Sequence, residues 1–66
     1  MEIIVNGKNI NVTDQVTVLL LIEENGYNPK RVVVELNGET VPRREWKERF
    51  LCEKDIVEVI RLISGG

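Results

Sequence analysis

The chain predicts an α+β domain of order β-β-α-β-β, a mixed sheet with one helix packed across one face. Three observations carry this. Two Asn-Gly pairs, Asn6-Gly7 and Asn37-Gly38, each follow a β-branched run and signal a hairpin. Between them lies a segment whose apolar residues recur at helical spacing, with a cap before it and a glycine after it. A last β-branched run, over 56–63, then closes the chain and needs a sheet to join.

Each element follows from its residues. Glu2-Ile3-Ile4-Val5 reads as the first strand, and Asn9-Ile10-Asn11-Val12-Thr13 as the second, with Ile10 and Val12 on one face and Asn11 on the other. Thr17 caps a helix over 18–25, in which Val18, Leu21 and Ile22 share one stripe, and Gly26 supplies the left-handed stop. Leu19 and Leu20 widen that stripe beyond what one sheet face covers. Asn28-Pro29-Lys30-Arg31 is a turn, Val32-Val33-Val34-Glu35-Leu36 a third strand, and Glu39-Thr40-Val41 can pair back briefly before Pro42 ends the pairing. Residues 43–51 form a short helical or irregular crossover, on which Trp46 and Phe50, four apart, are expected to meet and cover the open edge of the core. The final strand is expected to lie centrally, beside the first strand and a later one.

Sixty-six residues make one folding unit, expected as a domain over 1–63 and a flexible tail over 64–66, with no room for an enclosed substrate pocket. A non-catalytic protein is therefore expected. The composition, 42% hydrophobic and 30% charged, is that of a globular domain. Nine basic against eleven acidic residues argue against nucleic acid as a partner. With no histidine and only Cys52 for a thiol, the usual metal, disulfide, cluster and Cys-His or Ser-His sites lack their parts, and no bound cofactor is expected. The longest nearly apolar run, over 16–22, is far shorter than the roughly 20 residues of a membrane span, and the acidic start reads as no signal peptide. No membrane contact and a cytoplasmic location are expected.

Residue choice and chemistry coincide at the C-terminus. Gly65-Gly66 lacks Cβ atoms and can extend through a narrow channel. Three residues past the strand reach roughly 10 Å, enough to carry the Gly66 carboxylate into another protein's active site with Ser64 and Gly65 as the inserted stem. A free carboxylate is a poor electrophile, so it needs activation by a separate enzyme, for example as a mixed anhydride with a nucleotide. Terminal glycines also fray for no purpose. What raises them above that is their place directly after the last strand of a β-grasp, ubiquitin-like domain.

At these residues the sequence resembles a family. Asn6-Gly7 after an apolar strand, Thr17-Val18 opening a Leu-rich helix, the run Val34-Glu35-Leu36-Asn37-Gly38-Glu39-Thr40-Val41-Pro42-Arg43, Trp46, and Asp55-Ile56-Val57-Glu58-Val59-Ile60 before the diglycine are similar to the ThiS family, the sulfur carriers of thiamine biosynthesis. Ser64 departs from the third glycine or alanine that the family often has there. The resemblance implies that an E1-like, ThiF-type adenylyltransferase activates the Gly66 carboxylate with ATP. Sulfur from a cysteine desulfurase then makes it a thiocarboxylate, and a thiazole synthase of the ThiG type accepts the sulfur. Rival readings are the small subunit of molybdopterin synthase, a ubiquitin-like modifier joined through Gly66 to lysines, and an interaction module with an inert diglycine.

Other residues are weighed against that tail. Cys52, after Phe50-Leu51, is expected to be a small apolar filler and not the sulfur site. On the last strand Val57 and Val59 share one face while Glu58, Ile60 and Leu62 share the other, so Ile60 and Leu62 are expected to be partly exposed as a partner-docking surface. Arg61, Arg43 and Arg44 are candidates for steering acidic surfaces, against the simpler reading of solvated charges.

Overall fold

The computed structural model describes residues 1–63. β1 (Glu2–Val5) and β2 (Lys8–Asn11) pair antiparallel, with Val5 opposite Lys8. Asn6 and Gly7 both hold positive φ, +49° and +82°, the type I′ pattern whose twist matches a hairpin. A two-residue turn makes Lys8 the first paired residue, so β2 starts one residue before the predicted 9–13 and ends at Asn11. Two bonds extend the pairing: the Met1 ammonium donates to the Val12 carbonyl at 2.7 Å and the Val12 N–H to the Met1 carbonyl at 2.9 Å.

The helix α1 (Val18–Glu24) starts where predicted. Its first amides all find acceptors outside the helix. Val18 N–H donates to the Arg49 carbonyl at 2.9 Å, Leu19 N–H to the Trp46 carbonyl at 3.1 Å, and Leu20 N–H to the Thr17 hydroxyl at 3.1 Å. At the other end Gly26, at φ +80°, lets its N–H reach the Glu23 carbonyl and the Tyr27 N–H reach the Ile22 carbonyl, the paired bonds of a Schellman stop. Val18, Leu21 and Ile22 are buried as one stripe.

A 3₁₀ turn, Pro29–Arg31, leads into β3 (Val32–Leu36), which pairs antiparallel with β4 (Glu39–Thr40) across the second Asn-Gly turn. β5 (Ile56–Arg61) lies at the centre of the sheet, whose order is β2-β1-β5-β3-β4. It runs parallel to β1 and antiparallel to β3, which completes a mixed β-grasp sheet with the helix on one face. The ladder stops at Arg61, two residues short of the predicted end.

Ile3, Val5, Val32, Val34, Leu36, Val57 and Val59 form the sheet side of one core, closed by the helix stripe, Val16, Val41, Trp46 and Leu51. Trp46 is buried and its indole N–H donates to the Val41 carbonyl at 2.9 Å. Two expectations on the crossover are corrected. Phe50 does not join Trp46 but stands 54% exposed, because the chain is extended there, bridges to Thr17, and alternation turns Leu51 inward in its place. Cys52 is exposed and not a core filler, because a turn begins at once after Leu51, held by the Cys52 N–H donating to Asp55 Oδ2 at 2.7 Å.

Candidate functional site

The candidate site is the C-terminal exit of β5, and it is built from both of that strand's edges. On the β3 edge, Val32 sits opposite Arg61, and the Leu62 N–H donates to the Arg31 carbonyl at 2.8 Å just past the ladder. On the β1 edge the backbone turns away after Asn6, whose N–H still reaches the Val57 carbonyl at 2.9 Å. From there the Asn6 side chain takes over. Its Oδ1 accepts from the Val59 N–H at 2.8 Å and its Nδ2 donates to the Val59 carbonyl at 3.3 Å. Tyr27, whose hydroxyl lies 3.4 Å from Asn6 Nδ2, carries its ring under the Arg61 guanidinium, 5.2 Å from the centroid.

Ile60 and Leu62 are 45% and 50% exposed, and Ile63 beyond them 93%. Ile60 lies opposite Val33 on the sheet face away from the helix. Leu62 lines a shallow cleft of about 450 Å³ with Asn28, Lys30 and Arg31. Ser64, Gly65 and Gly66, the predicted reactive tail, lie outside the described residues.

The cations sort differently from one another. Arg43 is a structural clamp: its Nε donates to the Pro29 carbonyl and its Nη2 to the Val32 carbonyl, both at 2.9 Å, while the guanidinium rests 5.4 Å from the Trp46 ring centroid. Arg44 lies 4.0 Å from Glu45 in an exposed pair. Arg61 is exposed at the exit itself. Cys52 precedes the six-residue β5 while the exit follows it, a separation of roughly 20 Å at about 3.3 Å per strand residue. The thiol and the exit of β5 therefore belong to opposite ends of the domain. Among the described residues no cluster of three or more metal-ligating side chains occurs, and no helix is long and apolar enough to cross a membrane.

Sequence reasoning missed Asn6 and Tyr27 as parts of this exit. A signal was present in the choice of residue, because asparagine is placed at both hairpin turns and its amide, unlike an aspartate, supplies a donor and an acceptor together.

A family model described as the ThiS family matches residues 3–66. The sulfur carrier protein ThiS of Bacillus subtilis is 31% identical over 62 residues, 92% of this chain and 94% of that protein. A thiazole synthase of Paramagnetospirillum magneticum is 32% identical over 66 residues, all of this chain but only 20% of that protein. The crystal structure of the thiamine biosynthesis protein ThiS from Geobacter metallireducens superposes with a TM-score of 0.86 at 30% identity, with both chains covered in full. The matched span runs from the first strand through the diglycine, and the fold agrees with that of a ThiS protein; the chain belongs to the ThiS family.

Proposed function

We propose that the chain is a sulfur carrier of thiamine biosynthesis, a non-catalytic cytoplasmic protein that binds no cofactor and whose reactive group is the Gly66 carboxylate. In this reading an E1-like, ThiF-type enzyme joins that carboxylate to the α-phosphorus of ATP, and pyrophosphate leaves. A persulfide supplied by a cysteine desulfurase attacks the resulting carbonyl carbon, AMP departs with one carboxyl oxygen, and a thiol cleaves the S–S bond to leave a thiocarboxylate. The thiocarboxylate is then a tethered sulfur nucleophile, handed over where the tail can reach. Thiazole synthase is its acceptor.

The observation that supports this best is the ThiS family match, which includes Gly65 and Gly66 themselves. The match to one fifth of a thiazole synthase supports a thiazole synthase as the acceptor.

The test is incubation with the cognate activating enzyme, ATP and a sulfur donor, read by intact mass. The parent should gain the oxygen-to-sulfur difference. A variant with one alanine appended after Gly66 should melt like the parent yet gain nothing, since the carboxylate is displaced by about 3.5 Å and errors of about 1 Å already slow reactions on the order of a hundredfold. Isopeptide adducts would favour the modifier. Absence of any adenylation of the parent, or loading of the extended chain, would overturn the assignment of Gly66.

A further inference from the structure

We propose that Asn6 is a positioning residue for the sulfur-loading reaction: its side-chain amide stands in for a missing strand and sets the direction in which β5 launches the tail. The proposal rests on the carrier reading above.

In a parallel ladder, the carbonyl of one residue accepts from the neighbouring strand, and the N–H two residues on donates back to it. β1 follows this rule through the Ile4 N–H to Asp55 and the Asn6 N–H to Val57 carbonyl bonds, both 2.9 Å. Then the chain turns into β2, and the next two places on β5, the N–H and carbonyl of Val59, would face no backbone. Asn6 Oδ1 and Nδ2 fill both, at 2.8 and 3.3 Å. The positive φ of Asn6, a value that asparagine tolerates better than most residues, lets one residue make the turn and aim its amide at β5.

Asn6 therefore extends the gripped length of β5 by one full pairing toward the exit. With Arg61 over Tyr27 on the same edge and Leu62 bonded to Arg31 on the other, the strand end is held from both sides up to Leu62. Four residues, 63–66, then separate that anchor from the terminal carboxylate, roughly 13–14 Å at full extension. Loosening the anchor enlarges the volume over which the carboxylate must find the reacting geometry.

The other Asn-Gly turn supplies a matched control. Asn37 Oδ1 accepts from the Ile56 N–H at 2.9 Å and its Nδ2 donates to the carboxylate of Asp55, just before the strand, at 3.0 Å, so an asparagine amide also holds β5 at its start, through one backbone bond and one side chain. Asn6→Gly and Asn37→Gly each keep a residue suited to positive φ and delete only the amide. Both should remain folded with comparable losses of thermal stability.

In the isolated protein, Asn6→Gly should speed amide exchange at Val59 by about tenfold or more, and Asn37→Gly should leave Val59 unchanged. In the loading assay, Asn6→Gly should lower kcat on the order of tenfold with KM within about twofold, while Asn37→Gly stays near the parent in both. Equal slowing by the two variants, a loss confined to KM, or unchanged Val59 exchange in Asn6→Gly would overturn the proposal. Failure of the parent to load sulfur would instead overturn the carrier reading, and it shows before any variant is compared; the exchange at Val59 then judges the clamp by itself.

Discussion

The two faces of the sheet are made by alternate residues of the same strands and differ in what covers them. Under the helix lie Ile3, Val5, Val32, Val34, Leu36, Val57 and Val59, all buried. On the other face the register sets Ile60 opposite Val33, Ile56 beside Ile4, and Glu58 opposite Glu35. Two like charges opposite one another are mildly unfavourable in water, but under a covering layer they would be unpaired buried charges and far more costly. The carboxylate pair thus marks this face as wet in the free protein, while Ile56 and Ile60 beside it stay about half exposed. One face sets stability. The other is left available, and a partner seated on it must leave the two glutamates in water or bring its own cations.

The largest effect comes from putting the same charge on each face of β5. Val57→Lys places an ammonium where the side chain is fully buried and offers it no carboxylate, so the cooperative thermal transition should be lost. Ile60→Lys puts that ammonium in water near Glu58 and Glu35, where it relieves their repulsion and removes only a half-covered side chain. Its stability should stay within about 1 kcal/mol of the parent. Its association with the activating enzyme should weaken if Ile60 belongs to the docking surface. Should both variants unfold alike, the division between the faces is wrong.

The crossover repeats the comparison with aromatic residues. Trp46→Ala removes a buried ring together with its bond to Val41, and a loss of about 3–5 kcal/mol is expected. Phe50→Ala removes a ring that is more than half in water, and a loss of under about 1 kcal/mol is expected. Urea titrations at matched slope read both values. A Phe50 loss as large as the Trp46 loss would mean that the ring packs inward after all.

What could be read from the sequence divides along the same line. The helix, its Thr17 cap, the Gly26 stop, both Asn-Gly turns and the central place of β5 follow from local residue chemistry, and each is found. So is the alternation that leaves Ile60 exposed, because a strand's period of two is a local property. Phe50 and Cys52 were misjudged because their placement depends on distant partners: the strand-like bridge at Thr17 and the turn closed by Asp55 decide which way each points. The Asn6 grip on Val59 was hidden for a related reason. The two residues are 53 apart in sequence, and only the order β1-β5 brings the turn beside the last strand. Gly65 and Gly66 are the opposite case: they are conspicuous in the sequence itself, and they gain meaning there only from following the last strand.

A smaller effect is expected at Cys52. Cys52→Ala deletes an exposed sulfur and keeps the backbone bond to Asp55, so stability should change by under about 0.5 kcal/mol. Sulfur loading at Gly66 should be unchanged, as the thiol lies at the end of β5 opposite the strand's C-terminal exit. Loss of loading in a folded Cys52→Ala protein would revive the thiol as a relay.

The smallest effect concerns the ion pair that links the start of β1 to the turn before β5. The Lys54 ammonium donates to Glu2 Oε1 while the Lys54 N–H donates to the Glu2 carbonyl at 2.7 Å, and Glu53 accepts from the Glu2 N–H at 3.2 Å. The Lys54 ammonium is held above its ordinary value, first by the hydrogen bond to the Glu2 carboxylate, then by that carboxylate's charge, with partial desolvation opposing and the Glu53 charge adding a little. A folded-state value above the unfolded one means that the pair's contribution is fully present below the ordinary lysine range and fades as pH rises through the raised value. Because the group is exposed, the contribution is small and screened by salt. Urea midpoints measured between about pH 9 and 11.5 should fall less steeply with pH in Glu2→Gln than in the parent, and added salt should bring the two curves together. Parallel curves at low salt would show that the pair does nothing for stability, and that the start of β1 is held to this turn by its backbone bond to Lys54 and the Glu53 carboxylate.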